Sequence, residues 1–224
     1  MAGPATGILL RHPLSEEQLT DLEQWLFTIT KSPKKRRGMR MRKRAPLLGE
    51  RGKWGPFWIH DGTWIGLPDI DCSQTCAFYL LLEKELTEQD DLPEEIQEAV
   101  LEEQIQLAEY LGYVPEQSIR LSVGCNRPLD HRLLGQMVLL LAERYEGMID
   151  LNGALLPPLK PGRHWEDVTW EEKARSIEEL ALPGQVYQIV SNELTGAGRS
   201  TIWHLADSEW FRAWLHHPHF HLIK

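Results

Sequence analysis

The sequence predicts an α+β fold in a single domain, a mixed, mainly antiparallel sheet packed by about four to five helices. Segments with a helical hydrophobic period and segments with strand-like alternation follow one another without the strict repeat of a doubly wound sheet. Of 224 residues 42% are apolar, and nine are tryptophan, enough to bury a core without staples. There is no internal repeat. Residues 1–224 therefore read as one domain, from which 31–53 departs as a basic, mobile loop.

The first clear element is a helix from Glu16 to Ile29. Ser15 and Gln18 stand at capping-box spacing, and Leu14 and Leu19 at the positions of a hydrophobic staple. Leu19, Leu22, Leu26 and Ile29 recur on one stripe. From Trp54 the composition turns to strand. PFWIHDGTWIGL reads as two short runs around Asp61-Gly62, the signal for a two-residue hairpin turn. Cys76–Leu82 is a further buried strand. An acidic helix follows from Pro93 to Leu111, with Ile96, Ala99, Val100, Leu107, Ala108 and Leu111 on one face. Glu94, Glu95, Glu98, Glu102, Glu103 and Glu109 cover the rest.

Ser118–Cys125 alternates as a strand. Leu129–Tyr145 is apolar over much of its circumference, which marks the central core helix. Gly147 stands where a glycine would end it, before a strand at Met148–Leu151. Leu156–Gly162, with three prolines, is a loop. Thr169 and Glu172 make a second capping box for a helix to Leu180. Gln185–Asn192 and Ser200–Ala206 are strands flanking a turn at Gly196-Ala-Gly198. Asp207 caps a short helix bearing Trp210, Phe211, Trp214 and Leu215, which Pro218 ends, and Phe220–Lys224 reads as a last strand.

Charge is divided sharply along the chain. Nine of the fourteen residues in KSPKKRRGMRMRKR (Lys31–Arg44) are basic and none is acidic. The chain has 24 basic residues, so 15 face 33 acidic ones elsewhere, a balance of −18 outside the segment against −9 overall. Such a split implies partners met through charge, of opposite sign for the two parts. No apolar run approaches the ~20 residues needed to span a bilayer. The start lacks the basic region and apolar length of a secretory signal. Cys72, Cys76 and Cys125 are odd in number and form no CxxC pair, which is the usage of a reducing compartment. The cytoplasm is the expected address.

Several constellations invite chemistry. His204, His216, His217, His219 and His221 crowd the C-terminus, but HHPHFH has none of the zinc-ligand spacings, and surface histidines account for it. Cys125 near Asp130 and His131 allows a Cys/His nucleophile, against the reading of a plain core cysteine. LTGAGRST has the glycines of a phosphate loop without its lysine, and a strand follows where the motif needs a helix. Asp69 and Asp71 lack a third carboxylate nearby and read as a solvated strand end. The basic run fits a nucleic-acid arm or a nuclear-localisation signal, and Trp54, Phe57, Trp58 and Trp64 fit stacking platforms. The acidic remainder opposes a polyanion, and those aromatics alternate as hairpin core residues should. Nucleic acid is therefore not the expected partner. No catalytic residues, cofactor or metal are assigned.

Three stretches of the second half carry a resemblance: VGCNRPLDHRLLGQMVLLLAERYEGMIDLNGAL, LPGQVYQIV and WHLADSEWFRAWLHHPHFHLIK. Over roughly residues 118–224 the chain resembles bacterial immunity proteins encoded beside polymorphic toxins, including those that protect against Rhs-type effectors of type VI secretion. The landmarks are Asp130-His131, Gly135, Gly147–Asp150 and the ending from Trp214 to Lys224, and none of them is a known catalytic residue. The resemblance implies a protein that binds a cognate toxin domain and occludes its active site. Within that reading the partner-binding residues are Arg36, Arg37, Arg40 and Arg42 of the basic loop and Glu94, Glu98 and Glu102 of the acidic helix. Two alternatives stay open: an enzyme that reverses a toxin's modification, marked by a pocket containing Asp130, His131 or Asp150, and an RNA-binding accessory protein.

Overall fold

The strand at the middle of the sheet is one that periodicity does not announce. In the computed structural model, which describes residues 4–30, 52–84, 94–151, 155, 168–192, 200–220 and 222, Ala5–Leu10 forms β1. Ile8 and Leu10 are buried in the larger core and Leu9 in a smaller one on the opposite face. A strand covered on both sides shows no polar alternation, so the run Ile8-Leu9-Leu10 reads as a bare apolar patch.

The elements in chain order are β1, α1 (Glu16–Ile29), β2 (Lys53–Phe57), β3 (Phe78–Lys84), α2 (Glu94–Leu111), β4 (Gln117–Val123), α3 (Pro128–Tyr145), β5 (Met148–Asp150), α4 (Trp170–Glu178), β6 (Val186–Asn192), β7 (Ser200–Ala206) and α5 (Ser208–Leu215). The seven strands lie in the order β2-β3-β4-β1-β5-β7-β6. The six strand pairs among the described residues are antiparallel, and with the helices they make the expected α+β fold. Among the described residues no helix is long and apolar enough to cross a membrane.

One face of the sheet packs against α1, α3 and α5. Leu133, Leu134, Met137, Val138 and Leu141 make α3 the buried centre of that layer. Gly135 is there for contact: a Cβ would stand 2.8 Å from Phe220 and 2.9 Å from Leu215. Trp210, Phe211 and Trp214 of α5 are buried, with Trp210 stacked on Trp214 at 6.1 Å. Both expected capping boxes form, at Ser15/Gln18 and at Thr169/Glu172, and Asp207 accepts the Trp210 N–H at 2.7 Å. Asp21 ties α1 to the end of α3. It pairs with Arg144 and accepts the Tyr145 hydroxyl, whose pKa burial pushes up to about 12. On the other face α2 lies along β6, with Leu107 packed on Leu9, Ile189 and Leu205.

Several expectations are corrected. Residues 54–67 do not form a hairpin. Asp61 accepts the Thr63 N–H at 2.9 Å and caps a 3-10 turn, Gly62–Ile65, closed by Gly66 at φ 76°. The Asp-Gly pair that suits a hairpin also suits such a cap, and full burial of Ile65 favours the turn. Trp54 and Phe57 are core residues, whereas Trp64 is 55% exposed. The left-handed residue that ends α3 is Glu146, at φ 53°. Gly147 is small for another reason: a Cβ would collide with the Ile8 side chain and stand 2.9 Å from the Leu9 carbonyl oxygen. Of the expected last strand, Phe220–Lys224, the described residues include one bridge, Leu155 with Leu222, and residues 221, 223 and 224 lie outside the described residues. The basic segment Lys31–Arg44 and the loops at 156–162 and 196–198 lie outside the described residues, and β2 begins at Lys53.

Candidate functional site

The polar groups singled out around Cys125 meet where α3 begins. Asp130 is fully buried and accepts three donors: Arg127 Nε at 2.7 Å, Arg127 Nη2 at 3.1 Å and the Cys76 N–H at 3.1 Å. The fork-on-carboxylate geometry holds both charges, and pairing with Asp130 raises the Arg127 pKa. His131 accepts the Leu222 N–H on Nδ1 at 3.1 Å, so its proton sits on Nε2, which donates to Asn126 Oδ1 at 2.7 Å. That neutral imidazole ties the C-terminal segment to the loop before α3.

Cys125 does not pair with His131 in the manner of a nucleophile. It is bonded to Cys76, with 5.9 Å between their Cα atoms. The expectation of cysteines in reduced form is therefore corrected, and Cys72 is a buried thiol outside the bridge, its sulfur 3.6 Å from the Ile70 carbonyl oxygen. Bridging Cys76 to Cys125 spans 49 residues of sequence, a distance at which spacing carries no signal. Cys76 Sγ, Cys125 Sγ and a carboxylate oxygen of Asp130 all lie within 4.8 Å of one another. With the sulfurs joined, that trio lacks the thiolates a zinc site needs.

Of the C-terminal histidines, His217 and His219 have rings 5.5 Å apart, and His221 lies outside the described residues. His204 is buried in β7, where burial lowers its pKa to about 4. The His216 ring lies 2.8 Å from the Arg212 carbonyl oxygen. His217 stacks on Trp214 at 5.0 Å, and burial, with His219 nearby, lowers its pKa. Among the described residues no metal-holding group of three includes any of them. Asp71 caps a short 3-10 turn through the Ser73 N–H, and Asp69 is exposed. Asp150 shares a face of the sheet with Gly7, opposite the face that Ile8 and Ile149 present to the core under α3, so it does not converge with Asp130 and His131. A cleft of about 370 Å³ beside β6 is lined by Ile177, Leu182, Val186, Tyr187 and Trp210 and contains none of the three.

The outer face of α2 is built differently. Its inner side is anchored by Ala99 and Leu107, and Gln106 grips the edge of the sheet by accepting the Val190 N–H at 2.9 Å and donating to its carbonyl at 2.8 Å. Tyr110 stacks on Tyr187 at 4.9 Å. Outward stand Leu101, 52% exposed, and Ile105, 51% exposed, among the exposed Glu98, Glu102 and Glu109. Spacings of three, four and seven residues put these five side chains on one side of a helix over about 16 Å. Glu98 and Glu102 were expected here, and Glu94 is the helix's first residue. Leu101 and Ile105 were missed, although projection on a helical wheel sets them away from Ala99, Val100 and Leu107. Arg36, Arg37, Arg40 and Arg42 lie outside the described residues.

The family described as a family of unknown function, DUF6368, matches residues 2–224, and the chain belongs to it. No curated protein and no solved structure matches the chain.

Proposed function

We propose that the chain is an immunity-type inhibitor, which binds a cognate toxin domain in the cytoplasm of the producing cell and occludes its active site. The observation that carries this reading is the Leu101–Ile105 ridge among Glu98, Glu102 and Glu109 on α2. An apolar centre with a charged rim is the anatomy of a protein interface. The helix beneath it is fixed to the sheet, so little ordering entropy opposes docking. Its acidic rim suits a partner with a basic cleft, such as a toxin that acts on nucleic acid, and sets carboxylates where phosphates would lie. The resemblance of residues 118–224 to immunity proteins supports the same role. The polar groups near Cys125, Asp130 and His131 bond to one another and to the backbone, which suits a scaffold.

The experiment is co-expression with the product of the neighbouring toxin gene. Protection of the cell and a stoichiometric complex are expected, both lost in Leu101→Arg/Ile105→Arg while the melting temperature is unchanged. Protection that survives in this double variant overturns α2 as the interface. Turnover by the purified protein, or RNA affinity with a steep salt dependence, overturns the inhibitor reading itself.

A further inference from the structure

The two sulfurs of the cystine are inequivalent. Cys125 lies in an exposed loop, with Gly124, Asn126, Arg127 and Pro128 all open to solvent and Cys125 itself half-buried. Cys76 is held from behind, its N–H donated to Asp130. The Arg127 Nη2 lies 3.5 Å from the Cys76 sulfur. Cys76 is half-buried as well, so access alone does not choose between the sulfurs. The charge released by breaking the S–S bond is best received on Cys76, beside the guanidinium, which directs attack to Cys125.

We propose that Cys76–Cys125 is a site of thiol–disulfide exchange, at which a small thiol of the glutathione class is captured on Cys125 while Cys76 leaves as a thiolate beside Arg127. The incoming thiolate attacks Cys125 Sγ in line with the S–S bond. A new S–S bond forms to Cys125, the old one breaks, and its electron pair passes to Cys76 Sγ. One disulfide is exchanged for another, so no further oxidant or reductant enters. A guanidinium beside a sulfur stabilises its thiolate and makes it the better leaving group. Asp130 keeps Cys76 in place, so the reverse attack expels the small thiol and reseals the pair. Cys72 is buried and takes no part.

The experiment uses the full chain purified without reductant. It is incubated with reduced glutathione, quenched with N-ethylmaleimide and mapped by peptide mass spectrometry. Glutathione is expected on Cys125 and maleimide on Cys76, in several-fold excess over the reverse arrangement. Arg127→Gln should erode that bias, and Arg127→Lys should restore part of it by returning the charge. Glutathione found equally or mainly on Cys76 overturns the proposal. So does a pair that opens only when the protein unfolds, or one found as two free thiols after aerobic purification. Should the Arg127 variants fail to fold, the wild-type map alone decides.

Discussion

His204 is a titratable side chain whose charged form burial disfavours. Its Nε2 makes no hydrogen bond among the described residues, and burial lowers the pKa to about 4 from an ordinary 6.5. The unfolded chain therefore takes up a proton that the folded chain refuses. Stability from this group is complete above pH 6.5 and is lost as pH falls through 6.5 towards 4. Between pH 7 and pH 4.5 the wild type should lose roughly 2–3 kcal/mol more than His204→Leu, which has nothing to titrate there. Denaturant unfolding of both proteins at the two pH values measures the difference, and parallel pH profiles would refute it. Gly147 is the opposite case, a site defined by what cannot be added. Gly147→Ala drives a methyl group against Ile8 and the Leu9 carbonyl of β1, which the junction of α3 and β5 packs upon. A loss of about 1–3 kcal/mol is expected from such overpacking, seen as a lower midpoint in denaturant at unchanged slope.

At the scale of elements, α5 is held by its aromatic face. Trp214 is fully buried between Trp210, Phe220 and His217, so Trp214→Ala should destabilise the fold by about 3–5 kcal/mol. An unchanged melting temperature with loss of partner binding would make Trp214 an interface anchor instead. This helix was legible because its cap and its apolar spacing are both local, as are the two capping boxes that open α1 and α4. What was illegible is non-local. The Cys76–Cys125 pairing and the burial of β1 on both faces depend on segments far apart in the chain. Asp61-Gly62 failed for a different reason, since the same two letters serve a hairpin and a capped 3-10 turn, and tertiary packing of Ile65 decides between them. The acidic face of α2 was half legible. Its glutamates stand out by composition, whereas Leu101 and Ile105 are informative only once the helix is docked and their exposure is known.

For the whole molecule the governing quantity is the asymmetry of charge. A balance of −18 outside Lys31–Arg44 makes the body of the protein repel polyanions, while nine positive charges within that segment attract them. The two parts therefore predict opposite responses on a shared partner. Replacing Glu98 and Glu102 with glutamine removes two charges from the docking face but leaves Leu101 and Ile105 in place. Association with the proposed toxin domain should then slow, by roughly ten-fold at low salt, with little change in dissociation. Replacing Arg36, Arg37, Arg40 and Arg42 with serine removes four charges of the other sign and takes the net charge from −9 to −13. If the segment meets an acidic patch on the same partner, dissociation should accelerate, because charge-assisted hydrogen bonds that hold the complex are lost. The two variants measured over a salt series separate these effects, since steering fades as the Debye length shortens and direct contacts persist. RNA is the control ligand: the body's acidity should keep its affinity negligible at physiological salt for the wild type. RNA binding that is tight in the wild type and abolished by the serine variant would reverse the assignment and make the segment a nucleic-acid arm.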